Sequence, residues 1–279
     1  MLLSRTYHPS EDLAPFVRRF YVFEAELPDE MVIEDFLLSE TAFVRCLLKG
    51  DWTGELAPGE WSQPGRTIFF GANSRPLPVR VKGSFAVAGF AIRPSGWRAF
   101  FIEPHSQFHD TLMPLQELWG GLADIMQVGV EAASHDDGKI AAMENTIRHR
   151  LAQIGSWHSD PKMAKFERFS RTDSAIRVED AAREIGLSMR QLARRCLQSF
   201  GLTPKAVLRR SRFLDMATAM RGFSSPTEED LAVLRYFDQS HVNREFKRFT
   251  RMTPAKFRDA VTPLQTAGLK LREESRFED

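Results

Sequence analysis

The stretch SMRQLARRCLQSFGLTP, residues 188–204, decides the fold of the second half of this 279-residue chain. Its form recurs as DQSHVNREFKRFTRMTP, residues 238–254. Both segments begin with a residue type that caps helices and end on Thr-Pro. Both also carry an arginine at the seventh position, Arg194 in the first and Arg244 in the second. The repetition predicts two equivalent helical units in one region of the chain.

The first unit has the signals of a helix-turn-helix. Apolar residues recur at helical spacing through residues 176–185, and Gly186 follows as a tight turn. Ser188 with Gln191 three residues later forms a capping-box pattern, and Gly201 ends the second helix in the left-handed conformation. The inward face of this second helix consists of Leu192, Cys196 and Phe200. Helix, short turn and second helix together predict a helix-turn-helix.

The outward face of each second helix is typical of a reader of DNA. Arginine can fork to guanine, Gln and Asn can pair with adenine, and small apolar groups meet thymine methyls. The predicted DNA-binding residues are Met189, Arg190, Ala193, Arg194, Gln198, Gln239, Ser240, Asn243, Arg244, Lys247 and Arg248. We interpret His241 as a structural or phosphate contact in preference to a base reader.

A long helix is predicted between the two units. Thr203 caps it, and Pro204 occupies its first position, where the missing N–H costs nothing. From residue 204 to residue 221 it spans about 27 Å at 1.5 Å per residue. A spacer of that length can set two recognition helices one DNA turn apart, about 34 Å. In the second unit, Thr227 and Asp238 are the predicted caps of the two helices.

The composition is that of an ordinary soluble protein, but the charge is unevenly divided. Hydrophobic residues make up 43%, charged residues 27%, and the net charge is +1. Residues 1–160 hold 14 basic and 21 acidic side chains, whereas residues 161–279 hold 24 and 16. An acidic half joined to a basic half favours a nucleic-acid-binding module attached to another domain. No apolar run approaches the roughly 18 residues of a membrane span, and a cytoplasmic location is expected.

Short apolar runs separated by Pro and Gly fill the first hundred residues. Runs such as 43–48, 67–70 and 85–92 are rich in Val, Ile and Phe, which is typical of strands. Residues 79–92 are predicted to form a hairpin that turns at Lys82-Gly83. The set predicts a small barrel or sandwich, and helices are predicted at 112–130 and 137–154.

The predicted helix 137–154 has one apolar stripe with spacings of three and four residues. Its members are Ile140, Met143, Ile147, Leu151 and Ile154. The stripe fits a helix that covers the barrel, and it equally fits a dimerisation helix with coiled-coil spacing. Both interpretations remain open.

Candidate chemistry in the first half is sparse. His105 and His109 have the spacing of a metal pair on a helix, but Pro104 and the absence of helical periodicity argue against one. We predict no catalytic residue, no metal and no cofactor. Cys46 and Cys196 lie in apolar patterns typical of buried thiols. Three tryptophans fit either the barrel core or the wall of an effector pocket: Trp52, Trp61 and Trp97.

Two runs resemble the AraC/XylS family of bacterial transcription regulators. They are IGLSMRQLARRCLQSFGLTPKAVLRRSRF at residues 185–213 and YFDQSHVNREFKRFTRMTPAKFR at residues 236–258. The resemblance covers about residues 170–262 and implies two helix-turn-helix units joined by a long helix. It also implies that the third, sixth and seventh positions of each unit face bases. These positions are Arg190, Ala193, Arg194, Ser240, Asn243 and Arg244.

The second unit departs from the family pattern at several positions, among them Asp230 and Leu231, where an apolar residue and an alanine are usual. Arg235 and Arg251 stand where the family usually has glycine. A non-glycine residue in the left-handed region costs about 1 kcal/mol. We therefore expect altered packing in the second unit and a larger contribution from phosphate contacts.

The sequence thus predicts an α+β chain with a β-rich, cupin-like N-terminal domain and an all-α C-terminal domain. The sensor and dimerisation domain is expected at 1–135, an amphipathic helix and linker at 136–160, and the DNA-binding domain at 161–279. Within the last, the units are placed at 177–201 and 227–250. Expected partners are double-stranded promoter or operator DNA, a small-molecule effector, RNA polymerase and a second copy of the chain. The alternatives are a cupin-type metal enzyme with a DNA-binding tail and a DNA-repair adaptor with reactive cysteines.

Overall fold

The computed structural model describes residues 2–155, 158–224 and 239–276. The strands are β1 (Leu2–Tyr7), β2 (Val17–Ala25), β3 (Val32–Leu37), β4 (Phe43–Ala57), β5 (Glu60–Ser62), β6 (Thr67–Phe70), β7 (Leu77–Ile92) and β8 (Leu112–Pro114). The helices of the first half are α1 (Trp97–Phe100), α2 (Gln116–Trp119), α3 (Gly121–Ala132) and α4 (Asp136–Ile154). Those of the second half are α5 (Pro161–Thr172), α6 (Val178–Ile185), α7 (Met189–Ser199), α8 (Pro204–Met220), α9 (Gln239–Thr250), α10 (Pro254–Asp259) and α11 (Pro263–Glu274).

Two long strands, β4 and β7, organise the sheet. The order is β1-β2-β7-β4-β6-β8, with β3 also paired to β7 and β5 to β4. The first part of β7 pairs with β3 and its second part with β2, so the strand serves two neighbours in succession. The predicted hairpin at Lys82-Gly83 is therefore wrong. Gly83 instead has a φ of 65° inside one continuous strand, where it lets the strand change partner without a turn.

The sheet bends into a sandwich-like form and stays open. Among the described residues no pairing joins β1 to β8, so the strands do not close into a barrel. Pairing between β4 and β7 is irregular from Leu47 to Asp51, where Gly50 has a φ of 94°. The prediction of a β-rich first half followed by a helical second half is confirmed.

The sheet has two buried faces. One face, with Phe20, Val44 and Phe90, packs on α1, α3 and α4. The other, with Tyr21, Phe43 and Val87, forms a separate inner core. The two faces follow from the two-residue period of strands, which turns alternate side chains to opposite sides.

The apolar stripe of α4 is used inside the chain. Ile140, Met143, Ile147 and Leu151 are buried in the core cluster beneath the sheet. The covering interpretation of this helix is thus the one that the structure shows. In the segment predicted as one helix at 112–130, the structure has instead the short strand β8 and then α2 and α3, separated at Gly120 with a φ of 57°. No described helix is both long and apolar enough to cross a membrane.

The first helix-turn-helix has the predicted local chemistry. The Ser188 side chain accepts from Gln191 N, and the Gln191 side chain accepts from Ser188 N, which completes the capping box. Gly186 and Gly201 have φ values of 69° and 74°, as the turn and the helix end require. Leu192, Cys196 and Phe200 are buried with α5, α6 and α8 in one core. The Thr203 hydroxyl caps α8, and Pro204 stands at its start.

The second unit is described in part. The segment with Thr227, Arg235 and the cap Asp238 lies outside the described residues, as does the side chain of Gln239. Helix α9 buries Phe246 and Phe249 against Phe213 of α8. After α9, Arg251 has a φ of 60°, so the left-handed conformation expected from the family pattern is present without a glycine.

The charged segment after residue 263 is an ordered helix. Residues 263–274 form α11, which returns to the first half and packs on β3. Leu264 and Ala267 belong to the inner core of the sheet, and Leu269 belongs to the core around α8 and α9. The charged surface of this segment concealed an apolar face that requires a long-range partner.

Candidate nucleic-acid interface and an interdomain cavity

Helix α7 presents most of its predicted DNA-binding side chains to solvent. Arg190 and Arg194 are exposed, Met189 has 44% of its surface exposed, and Ala193 and Gln198 are half-buried. The neighbouring Arg195 has a different role, because its Nη1 donates to Asp160 Oδ2 at 2.6 Å. Asp160 also caps α5, so Arg195 ties α7 to the start of the helical half.

Helix α9 presents a second exposed polar face. Ser240, Arg244, Lys247 and Arg248 are exposed, and Asn243 is half-buried. His241 lies 3.9 Å from Glu245, which also binds Arg209 of α8 through its guanidinium. This placement supports the structural interpretation of His241.

Arg251 faces the sheet. Its Nη1 lies 3.6 Å from Glu55 Oε2 of β4, across the two halves of the chain. A phosphate contact of Arg251 stays a prediction, since its side chain is 62% exposed. The contact adds one more tie between the second unit and the first half.

His105 is a buried structural residue. It stacks on Trp97 with ring centres 3.9 Å apart, and its Nδ1 lies 2.9 Å from the carbonyl oxygen of Ser199 at the end of α7. Burial lowers its pKa to about 3, so the ring is neutral. His109 instead contacts the carbonyl of Ser106. No cluster of three His, Cys, Asp or Glu suited to a metal occurs in the part of the chain that the structure describes.

Both cysteines are buried free thiols, as predicted. Burial raises the pKa of Cys46 to about 12 and raises that of Cys196 as well. A thiol held in its protonated form is a poor nucleophile, so neither cysteine has the environment of a reactive one.

A buried polar cluster joins α8 to the loop after β3. Arg210 is 1% exposed and donates to the carbonyl oxygens of Asn73 at 2.8 Å and Glu40 at 2.6 Å. The Glu40 carboxylate pairs with Arg272 of α11 at 3.0 Å and accepts from Ser211 at 2.9 Å. Burial alone would raise the pKa of Glu40, but the surrounding arginines lower it to about 2. The cluster fixes the helical half against the sheet.

A cavity of about 130 Å³ lies between the inner face of the sheet and α11. Apolar and aromatic side chains from β2, β3 and β4 line one side, and Leu264, Ala267 and Leu271 line the other. Its charged lining residues are Arg18, Arg19, Arg45, Arg272 and Glu40. The wall is thus shared between the sheet and a helix that follows the second DNA-binding unit.

Arg45 stands inside a cage of aromatic rings. Its guanidinium carbon lies 4.5 Å from the ring centre of Trp52 and 5.2–5.9 Å from those of Phe70, Phe43 and Tyr21. Its Nε donates to the Tyr21 hydroxyl at 3.4 Å. A Cβ at Gly89 would lie 2.6 Å from that hydroxyl, so glycine is required there for the arrangement to fit.

This cavity was not predicted from the sequence. Trp52 was considered for an effector pocket and does line the cavity, whereas Trp97 is core and Trp61 lies under the guanidinium of Arg80. The available signal was an arginine inside an otherwise apolar strand, as in the runs VRRFYVFEA and FVRCLL. Charged residues are rarely fully buried unless they have a partner, so a buried arginine in a strand indicates a binding partner for its guanidinium.

Comparisons with known proteins follow the division of the fold. Residues 181–260 match a family model described as a helix-turn-helix domain, and residues 5–114 match one described as a domain of unknown function. No curated protein has a sequence that matches the chain.

Solved structures to which the chain is similar include ToxT from Vibrio cholerae, at 12% identity and a TM-score of 0.48, covering 86% of this chain and 97% of that one. The unsaturated fatty acid bound wild-type ToxT from Vibrio cholerae strain SCE256 has 12% identity and a TM-score of 0.46, covering 88% and 96%. The AraC-like transcriptional activator CuxR has 14% identity and a TM-score of 0.28, covering 77% and 86%.

Proposed function

We propose that this chain is a transcription regulator of the AraC/XylS family, reads a specific DNA sequence with α7 and α9, and senses a small effector with its first half. It is a DNA-binding transcription regulator. Sequence-specific readout through the named side chains, and effector sensing, are the proposed refinements.

The observation that carries the proposal is the outward face of α7. Arg190 and Arg194 are exposed on α7. The capping box fixes the start of this helix, and Gly201 terminates it. Neither side chain has an ion pair within the described residues. Unpaired arginines on a rigid helix are available to fork to guanine or to bind phosphate.

The first half is proposed as the sensing domain because of the cavity under α11. Its lining is mainly apolar with a few convergent polar groups, which is typical of small-molecule sites. The helix that forms one wall follows directly on α10 of the second DNA-binding unit. A shift of α11 on ligand binding would therefore act directly on the second DNA-binding unit.

A second copy of the chain and RNA polymerase are proposed as partners. A dimer would place four recognition helices on one operator and so lengthen the sequence that is read. The apolar stripe of α4 is already buried, so a dimer interface has to lie elsewhere on the surface.

The test is binding of the full chain to DNA from its own promoter region, with Arg194→Ala as the variant and Arg98→Ala as the control. Arg98 is an exposed arginine on α1 in the first half. Loss of one base contact should weaken specific binding by about 1–3 kcal/mol, and the control should bind as the parent does. Specific binding that is equal for the parent and Arg194→Ala would show that α7 does not read bases.

A further inference from the structure

The lining of the cavity under α11 contains buried hydrogen-bond donors without acceptors. Arg45 Nη1, Trp52 Nε1, and Nε and Nη2 of Arg18 are buried and have no hydrogen-bond partner in the described residues. Arg18 and Arg45 are each 7% exposed, and Trp52 is 4% exposed. Buried polar groups are normally paired, so a cluster of unpaired donors marks a place where an acceptor is expected.

The unpaired groups are of one kind. Within the described residues that line the cavity, no buried side-chain oxygen lacks a hydrogen bond. A ligand that both donates and accepts would leave its own donors unsatisfied here. The lining therefore matches a group that accepts only, which is the chemistry of an ionised carboxylate.

The charged side chains that line the cavity are mostly positive, which also favours an acceptor that carries negative charge. Glu40 is the acidic residue of the lining, and it is already paired with Arg272 at 3.0 Å. Arg19 donates to Leu271 O and Ser275 Oγ of α11. No described carboxylate lies within ion-pair distance of Arg18 or Arg45. Arg18 interacts electrostatically with Glu40 and Glu167, which leaves Arg45 as the buried cation without a described counter-ion. Such a charge favours an anion as ligand, because an unpaired charge in the interior is costly.

The size of the cavity limits the rest of the ligand. A volume of about 130 Å³ is close to the roughly 150 Å³ apolar cavity that holds benzene in an engineered protein. The surrounding surface is aromatic and aliphatic, with Phe43, Phe23 and Leu264. A single ring or a body of similar size fills such a space, whereas a long chain does not.

We propose that this cavity binds a compact organic acid, with its carboxylate on Arg45 and Trp52 and a ring-sized apolar body between the sheet and α11. The ligand class deepens the sensing role, and that part rests on the proposed function. Occupation would join the sheet to α11 through one molecule and so fix the helix that follows the second DNA-binding unit.

Isothermal titration calorimetry of the full chain with phenylacetate tests the site without DNA, so a failure of DNA reading does not affect the result. The uncharged phenylacetamide and the long-chain decanoate serve as the two comparison probes. Phenylacetate should bind at least tenfold more tightly than either. Equal binding of acid and amide, tighter binding of decanoate, or no binding of phenylacetate at millimolar concentration overturns the proposal.

Two kinds of variant test the charge of Arg45 and the volume of the cavity separately. Arg45→Met removes the cation and should weaken phenylacetate binding at least tenfold, while Arg45→Lys should retain part of it. Ala267→Phe keeps Arg45 and Trp52 and fills the cavity from α11, and should also abolish binding. Arg150→Met is the matched control, since Arg150 lies over Trp119, which packs on the opposite face of the sheet. Unchanged affinity in a folded Arg45→Met or Ala267→Phe protein, judged by circular dichroism, contradicts the assignment.

Discussion

Asp35 of β3 caps a helix that begins 228 residues later, since its Oδ2 accepts from Leu264 N at 2.7 Å and from Gln265 N at 3.2 Å. The carboxylate thereby satisfies two of the free N–H groups at the start of α11. Burial raises the pKa of Asp35, and the backbone N–H donors oppose that shift. This one side chain connects the inner face of the sheet to the helix that walls the cavity.

Replacing Asp35 with alanine should loosen α11. The loss of a capping side chain is expected to cost about 1 kcal/mol of unfolding free energy, with faster hydrogen exchange confined to residues 263–274. Urea unfolding and native-state exchange measure the two effects. Asp259→Ala, at an exposed aspartate in α10, is the control. Identical exchange in the two variants would show that the cap does not hold the helix.

Acid should destabilise the chain through His105. Its pKa of about 3 in the folded protein is below its usual value of about 6.5, so the unfolded chain takes up the proton first. Its contribution is thus complete above about pH 6.5 and decreases as the pH falls, by at most about 1.4 kcal/mol per pH unit. Between about pH 5 and 6.5 the carboxylates remain ionised in the unfolded chain, so this interval isolates the histidine.

His105→Asn should flatten the pH dependence of the melting temperature over that interval. Asparagine can still donate toward Ser199 O but does not titrate. The slope is the quantity to compare, because the variant also loses the stacking on Trp97. His149→Asn, at an exposed histidine on α4, should keep the parent slope. Parallel slopes for parent and His105→Asn would contradict the assignment.

Arg251→Gly should stabilise the second unit. Relief of the left-handed backbone, with φ at 60°, is worth about 1 kcal/mol. The ion pair with Glu55, at 3.6 Å and with the arginine 62% exposed, is worth less, since exposed pairs contribute about 0–1 kcal/mol. Arg251→Ala removes the pair without relieving the backbone and should not stabilise. A lower melting temperature for the glycine variant than for the alanine variant would show that the left-handed backbone at Arg251 is not strained.

The two readers should contribute unequally to DNA recognition. Helix α7 is framed by Gly186 and Gly201, whereas α9 ends at the strained Arg251, which faces the sheet. We expect Arg194→Ala to reduce the ratio of specific to non-specific affinity more than Arg244→Ala does. The second variant should mainly lower the affinity for all sequences and the salt dependence. Equal loss of the ratio in competition gel shifts would speak against the division.

The first helix-turn-helix was predictable to the residue because its signals are local. The capping box at Ser188, the positive φ at Gly186 and Gly201, and Pro204 at the start of α8 each depend on neighbours within a few positions. Local backbone chemistry of this kind is readable without a tertiary structure. The strained position of Arg251 was readable for the same reason once the family pattern was known.

The cavity was not predictable because every one of its walls is long-range. Residues 79–92 were predicted as a hairpin, but they belong to one strand, β7, that pairs first with β3 and then with β2. The apolar residues of α11 are buried only because the sheet packs against them. Arg18 and Arg45 were visible as charged residues in apolar strands, but the placement of both strands beside β7 depends on long-range pairing. The side chains predicted to read DNA remain predictions that binding experiments have to decide.

The return of α11 to the sheet also affects the order in which this chain folds during synthesis. When the sheet emerges from the ribosome, the apolar surface that Leu264 and Ala267 will cover is exposed, and about 160 further residues must be made before α11 is complete. Synthesis at about 5–20 residues per second leaves that surface open for about ten seconds or longer. The first half expressed alone is therefore expected to aggregate, and the full chain to depend on chaperones until its last helix is complete.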